Sequence, residues 1–408
     1  MRHRLCYTKP IMKLILFKNT IESQEFFSFE LARAFRDFGH QVFFYDCARQ
    51  EESFAELCQF IELGNTAAFA FNFNGMINDD YLLRDKDPVF WNLTGIPYVN
   101  MIVDHPFYYH EQFAHIPGNY AQIEIDRKHV SYMRRFFPDI DADHFVELGG
   151  TDFWQYTKRA FEPIPVSKRK YDIVFTGHYT DPMSYEKYIS HLEKSVQDFY
   201  FQLYYALQEE NDRTLEDLAE ERLRRDFGDA VDDEYLKVFY QNAIFLDLMI
   251  RHYYRGKAVA ALADAGFQVD IFGTGFENVP CRHPENMVIH GRVNSRKCLE
   301  VISNGKISLN VMPWFKEGGH DRVFNSMLNG AICLSDPSLT LKEHFTDGKD
   351  ILFYDLGHLQ ELPDICREIL SNPDHMEQIS ANAYENARKN HSWAARAKEI
   401  LQIIESRM

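Results

Sequence analysis

Positive charge is scarce in this sequence. Lys and Arg total 44 against 61 Asp and Glu, a net charge of −17 over 408 residues. A surface of that sign repels phosphate backbones and anionic headgroups. It excludes general nucleic-acid and membrane-surface binding, yet leaves room for a local basic pocket around one phosphorylated ligand. Cysteine is sparse as well. The seven cysteines are irregularly spaced and form no Cys-x-x-Cys pair. That pattern speaks for reduced thiols in a cytoplasmic protein and against a disulfide framework. No apolar run approaches the roughly 18 residues that a membrane-spanning helix needs. The apolar run 14–17 stops at Lys18 and Asn19, too early for a signal peptide. It reads as a first strand behind a short tail, with Met12 as an alternative start.

Several catalytic signatures are missing too. There is no Gly-x-Ser-x-Gly elbow and no Walker loop. The first strand-to-helix loop, residues 18–23, lacks glycine, which disfavours a nicotinamide or flavin cofactor. Asp139-Ile-Asp141-Ala-Asp143 starts like a calcium loop but lacks the glycine at its sixth place and the glutamate at its twelfth. Asp79-Asp80 and Asp232-Asp233 have no partners in the pattern, and Cys281-Arg-His283 has no second pair. No metal site and no resident cofactor are expected.

What is present is an α/β pattern. Hydrophobic residues make up 45% and aromatics 15%, with 34 Phe and 22 Tyr. These supply thick cores or a site lined with rings. The length suggests two or three domains. Buried-strand patterns at 13–17, 41–45, 67–72, 96–103 and 145–148 are interleaved with helical spacing over 23–38 and 124–137. A second series of strands runs through 172–176, 269–272, 288–290, 307–311, 331–335 and 351–354. Strands alternating with helices predict parallel sheets. The expectation is two doubly wound halves, 1–155 and 156–390, joined near 153–170, with a last helix at 391–408 packing back on the first half. The stretch 184–266 interrupts the second half. It is charged, helical in spacing and free of solenoid-length repeats. It reads as a solvated helical subdomain, an acceptor platform or a surface for homo-oligomers.

The densest chemistry is Glu317-Gly-Gly-His-Asp-Arg-Val-Phe-Asn325, between the strands at 307–311 and 331–335. Gly318 and Gly319 at a helix start would let backbone amides approach a phosphate. Arg322 would add charge-assisted hydrogen bonds, and Asp321 and Asn325 share its face of the helix. In the first half, Val103-Asp104-His105-Pro106 follows an apolar strand, where open α/β sheets place their ligands. Asp104 or His105 could act there as a general base, with Tyr108, Tyr109 and His110 lining an acceptor cleft.

The 317–330 stretch resembles the donor-site signature of GT-B glycosyltransferases. Many retaining members carry an acidic residue, a Gly, a Glu eight places after the first, and a Gly before a strand. Glu317, Gly318, Asn325 and Gly330 fall at that spacing. The pattern is also similar to the CgeB-like group, in which Arg-x-Phe-Glu precedes small residues, a Gly and an apolar strand. Arg322-Val-Phe324-Asn325, then Gly330-Ala-Ile-Cys-Leu-Ser335, follows that order, with Asn325 where Glu is usual. Leu148-Gly-Gly-Thr-Asp152 resembles the hinge of such enzymes. Asp172 to Gly177 and Ile271-Phe-Gly273-Thr274-Gly275 resemble the strands and loops around the donor.

The resemblance implies a GT-B fold, two Rossmann-like domains facing a cleft. It implies a hexosyltransferase-type enzyme that uses a nucleotide sugar, a UDP-sugar in preference, without a metal. The acceptor could be a protein, a glycan or a small molecule. Gly177, His178, Gly273, Thr274, Gly275, Gly318, Gly319, His320, Asp321, Arg322 and Asn325 would bind the donor. Glu317 would hold sugar hydroxyls, and Asn325 the ribose, as Glu does in the family. A base at Asp104 or His105 would mean inversion; the Glu317/Asn325 spacing leans towards retention. A nucleotide-sugar epimerase or a non-catalytic binding module on the same fold are the other readings.

Overall fold

The structure, a computed structural model, describes residues 11–156 and 164–408. The tail before the first strand, and residues 157–163 of the expected connection, lie outside the described residues. Two parallel sheets of six strands organise the chain. The first holds β1 (Lys13–Lys18), β2 (Gln41–Asp46), β3 (Thr66–Phe71), β4 (Tyr98–Ile102), β5 (Tyr120–Glu124) and β6 (His144–Phe145), in the order β2-β1-β3-β4-β5-β6. The second holds β7 (Tyr171–Thr176), β8 (Val269–Phe272), β9 (Met287–Ile289), β10 (Gly305–Asn310), β11 (Ile332–Ser335) and β12 (Leu352–Phe353), in the order β12-β11-β10-β7-β8-β9. Both orders reverse direction once, at β1/β3 and at β7/β10. Such switch points open a crevice beyond the carboxyl ends of the strands.

Helices cover both faces of each sheet, so β3 and β4 are buried at every residue and show no alternation. β5 departs from the expected pattern. Glu124 ends this strand and does not begin a helix. The following helix, Arg127–Phe136, is capped by Asp126, which accepts from the Lys128 amide. Buried inside β5, the Tyr120 hydroxyl donates to Gln122 Oε1 at 2.6 Å and the Gln122 amide donates to Glu124. Burial pushes the Glu124 carboxyl well above its ordinary range. A strand that hides polar residues in this way carries no apolar signal. β6 is two residues long, shorter than the run 145–148.

Four helices separate β7 from β8: Lys194–Glu209, Leu215–Phe227, Asp233–Asn242 and Ile244–Asp264. They lean across onto the first half. Arg135 there reaches Glu220 at 2.7 Å and Asp233 at 2.6 Å. Tyr132 and Phe136 pack on the Tyr240 ring at 5.9 and 5.8 Å. The last helix, Trp393–Glu405, lies on the first helix, Glu22–Asp37, with the Trp393 ring 5.3 Å from Phe27. Gly149 permits this: a Cβ there would sit 2.6 Å from the Trp393 ring.

The two halves also meet directly. Gly318 forms an isolated antiparallel bridge with Asp126. Glu22 accepts from the Ser295 amide at 2.8 Å and its hydroxyl at 2.9 Å. Arg127 donates to Glu343 from both Nη1 and Nη2.

Candidate functional site

A cavity of about 410 Å³ lies between the halves, at the carboxyl ends of the strands. Thr176 and Gly177 after β7, Phe272 at the end of β8 and Asp104 after β4 contribute to it. So do Ser23 and Gln24 of the first helix, and His178, His320, Asp321, Arg322 and Asn325.

Arg322 sits at the β7/β10 switch point. Its Nε donates to Asn310 Oδ1 at 3.0 Å, Nη1 to the Thr176 carbonyl at 3.3 Å and Nη2 to the Val311 carbonyl at 3.4 Å. Arg255, on the Ile244–Asp264 helix, donates from Nη1 to the His178 carbonyl at 3.2 Å, while its Nε is buried without a partner. Burial, and then Arg322 and Arg251 beside it, push the Arg255 guanidinium well below its ordinary range. Burial also lowers Arg322. Arg251, one turn before Arg255, has Nη2 2.8 Å from Asp247 Oδ2, within ion-pair distance but outside hydrogen-bonding geometry. Its Nη1 lies 3.8 Å from Asp104 Oδ1 across the cleft. Three guanidinium groups thus cluster near the switch point, and Arg322 among them lines the cavity. Two of them are bonded to carbonyl oxygens and not to carboxylates, so their charge remains available to an anion.

Asp321 caps this cluster on the cavity side. Burial opposes its ionisation, but His320, Arg322 and the Arg322 amide outweigh that and hold the carboxyl below its ordinary range. His320 Nδ1 lies 2.5 Å from Asp321 Oδ1; burial and Arg322 push this imidazole down to about 4. Asp104 accepts from Asn72 Nδ2 at 3.0 Å and from the Tyr109 hydroxyl at 3.1 Å, and faces the cavity from the first half.

The structure rearranges several expected roles. Gly318 and Gly319 stand outside the lining of this cavity. A Cβ on Gly318 would meet the Ile125 carbonyl oxygen at 2.2 Å, and one on Gly319 would lie 3.4 Å from Glu147 Oε1. Gly318 approaches the other half of the chain, while Gly319 lies among Phe324, Leu341 and Glu147. The helix itself, Asp321–Leu328, opens two residues later, with the His320 side chain at its cap. Glu317 stands outside the cavity lining. Its amide donates to Asp126 Oδ2 at 2.9 Å and its carbonyl accepts from Thr340.

Asn325 is committed on both sides: Oδ1 accepts from the Thr151 amide and Nδ2 donates to Asp321 Oδ2. Gly273 and Gly275 fit loop against loop, since a Cβ would sit 1.7 Å from the Gly177 carbonyl oxygen and 2.0 Å from that of Tyr179. Thr274 holds the His178 ring, its hydroxyl 3.1 Å from Nδ1.

His105 is likewise withdrawn. Its Nδ1 accepts from the Phe107 amide at 3.2 Å, so the proton is on Nε2, which donates to Glu216 at 2.6 Å. Burial pushes this imidazole down to about 3. Tyr108 donates to Asp247 at 2.7 Å, and the ring of His110 pairs with the Tyr132 hydroxyl at 2.9 Å. His105 and Tyr108 thus tie the helical stretch to the first half, while the His110 contact stays within the first half.

Sequence reasoning missed Arg251 and Arg255. The available signal was two arginines four residues apart, on one face of a long and largely buried helix. It also missed Trp314, whose ring carries both guanidinium groups, at 4.2 and 5.3 Å.

Among known families, the one described as glycosyl transferase-like matches residues 251–402, a span that begins at Arg251. No curated protein matches the sequence. Solved structures align over nearly the whole chain. A glycosyltransferase from Rickettsia africae ESF-5 covers 98% of this chain and 99% of its own at 10% identity, with a TM-score of 0.54. An alpha-glucosyltransferase (AGT) in complex with UDP covers 97% and 100% at 10% identity, with a TM-score of 0.58. AviGT4, a glycosyltransferase involved in avilamycin A biosynthesis, covers 97% and 97% at 11% identity, with a TM-score of 0.53. At such identities the likeness establishes the fold, which is GT-B. No helix among the described residues is long and apolar enough to cross a membrane.

Proposed function

We propose that this GT-B chain, whose residues 251–402 form a glycosyl transferase-like domain, moves a sugar from a nucleotide sugar, preferably a UDP-sugar, to an acceptor held against its first half. The observation that carries the reading is Arg322 on the lining of the interdomain cavity, with Arg251 and Arg255 clustered beside it and their buried Nε groups left unpaired. A sugar nucleotide breaks its anomeric C–O bond and releases a nucleoside diphosphate. Negative charge builds on the departing phosphate oxygen. Preorganised guanidinium groups in a partly desolvated cleft stabilise that charge more in the transition state than in the ground state. They supply the counter-charge themselves, so the step requires no metal.

Asp104 is the general base. It is a carboxylate on the acceptor side of the cavity, oriented by Asn72 and Tyr109. It takes the proton of the acceptor hydroxyl as that oxygen attacks the anomeric carbon. With Glu317 outside the cavity, a base at Asp104 favours inversion. The six described cysteines are free, in keeping with a reducing, cytoplasmic setting.

A thermal-shift screen of UDP-, GDP-, dTDP- and CMP-sugars tests the reading. A donor at one hundred times its Kd stabilises by about 2.7 kcal/mol, and the UDP series should respond. No response to any nucleotide sugar would contradict a donor site. Anomeric NMR of the transfer product then tests inversion. Incubation with UDP-GlcNAc alone separates transfer from epimerisation, since an epimer requires no acceptor.

A further inference from the structure

We infer that Trp314 and Tyr108 form a two-ring clamp that positions Arg251 for the donor diphosphate, one ring from each half of the chain, so that nucleotide binding depends on how the halves dock. The inference rests on the reading of the arginine cluster given above. The Arg251 guanidinium lies 4.2 Å from the Trp314 ring centre and 5.9 Å from that of Tyr108. Trp314 belongs to the loop after β10, and Tyr108 to the short 3-10 turn after β4. Tyr108 acts a second time through its hydroxyl, which donates to Asp247 Oδ2 at 2.7 Å. Asp247 stands one turn before Arg251 on the same helix and 2.8 Å from its Nη2. The Trp314 ring also lies 5.3 Å from the Arg255 guanidinium.

The choice of aromatic partners has a chemical reason. Arg251, Arg255 and Arg322 repel one another, and a free arginine side chain would turn towards water. Arg251 has Asp247 and Asp104 as counter-charges, at 2.8 and 3.8 Å; a carboxylate bonded to every guanidinium N–H would leave none for an incoming phosphate. A ring face attracts the cation without accepting its in-plane hydrogen bonds. The Nε groups of Arg251 and Arg255 are accordingly buried and without partners. Trp314 and Tyr108 are therefore positioning residues that keep the fork preorganised, and Tyr108 makes the first half a party to donor affinity.

The test is calorimetric titration of the full chain with UDP, UMP and uridine, because a clamp on a phosphate-binding arginine affects the diphosphate and spares the nucleoside. Trp314→Leu should weaken UDP by about tenfold, the effect of losing a desolvated cation–π contact, while uridine binds as before. Trp314→Phe should restore most of the UDP affinity. Tyr108→Phe, which keeps the ring and deletes only the hydroxyl, should weaken UDP by about three- to tenfold. With donor varied, KM should rise more than kcat falls. If the wild type prefers UDP over uridine and both Trp314→Leu and Tyr108→Phe keep that preference, the clamp is overturned. Equal losses for UDP and uridine overturn it as well, since they report general damage. A wild type that binds UDP no better than uridine overturns the donor-site reading, and the clamp with it.

Discussion

Arg255 offers a perturbation with opposite effects on stability and on binding. Its guanidinium has one bond, to the His178 carbonyl, a buried Nε without a partner, and two like charges as neighbours. Without a ligand that arrangement is unfavourable. Replacing a buried, poorly paired charge by an apolar side chain of similar length often stabilises by about 1–4 kcal/mol. Because Arg255 is only half-buried by its surface area, the lower end, about 1–2 kcal/mol, is expected for Arg255→Met. With a diphosphate present, the same change removes a charge-assisted hydrogen bond worth about 1.5–3 kcal/mol, or roughly 10- to 150-fold in affinity. Urea unfolding of the free protein and titration with UDP measure the two effects separately. The variant should unfold at higher urea than the free wild type, yet gain much less from UDP. A variant that is less stable when free and binds UDP as tightly as the wild type would refute the assignment of Arg255 to the diphosphate.

Three further outcomes follow from other contacts. Gly318→Ala puts a methyl group 2.2 Å from the Ile125 carbonyl oxygen, so the halves must part locally at a cost of about 1–3 kcal/mol; an unchanged urea midpoint would contradict this. Asp104→Asn should lower kcat by about 10²- to 10⁴-fold; turnover at the wild-type rate would remove Asp104 as the base. Asp336 is raised by burial to about 6 against the bonds and charges that favour its ionised form. A carboxyl with a raised folded pKa contributes stability that is complete below its unfolded value, near 4, and lost as pH rises through 6. The wild type should therefore gain about 1 kcal/mol on Asp336→Asn between pH 7 and pH 5, read from urea midpoints at the two values; a constant difference would show that Asp336 does not titrate there.

The architecture was largely legible because periodicity reports burial. Strands such as β3 and β11 are largely apolar and bounded by turns, and the glycine pairs after β6 and β10 mark close approaches of the chain. β5 escaped because its buried face carries Gln122 and Glu124 bonded to each other, which reads as polar surface. The site was legible only in part. The 317–325 motif placed Asp321 and Arg322 on the cavity, but spacing does not reveal what a glycine is close to. Gly318 approaches the backbone of the opposite half, and Asn325 Oδ1 accepts from the Thr151 amide. Arg251 and Arg255 lie about seventy residues before Arg322 in sequence, and the β8–β7–β10 order of the sheet brings them together. The helical stretch proved to be a tie between the halves, through Glu216, Glu220 and Asp233, where composition suggested a free acidic surface.

A crystal structure of the protein soaked with UDP tests the central claim most directly. The β-phosphate oxygens should lie within hydrogen-bonding distance of the Arg255 and Arg322 guanidinium groups, beside Gly177. A diphosphate found instead on the amides of Gly318 and Gly319, with the halves drawn apart, would contradict the account.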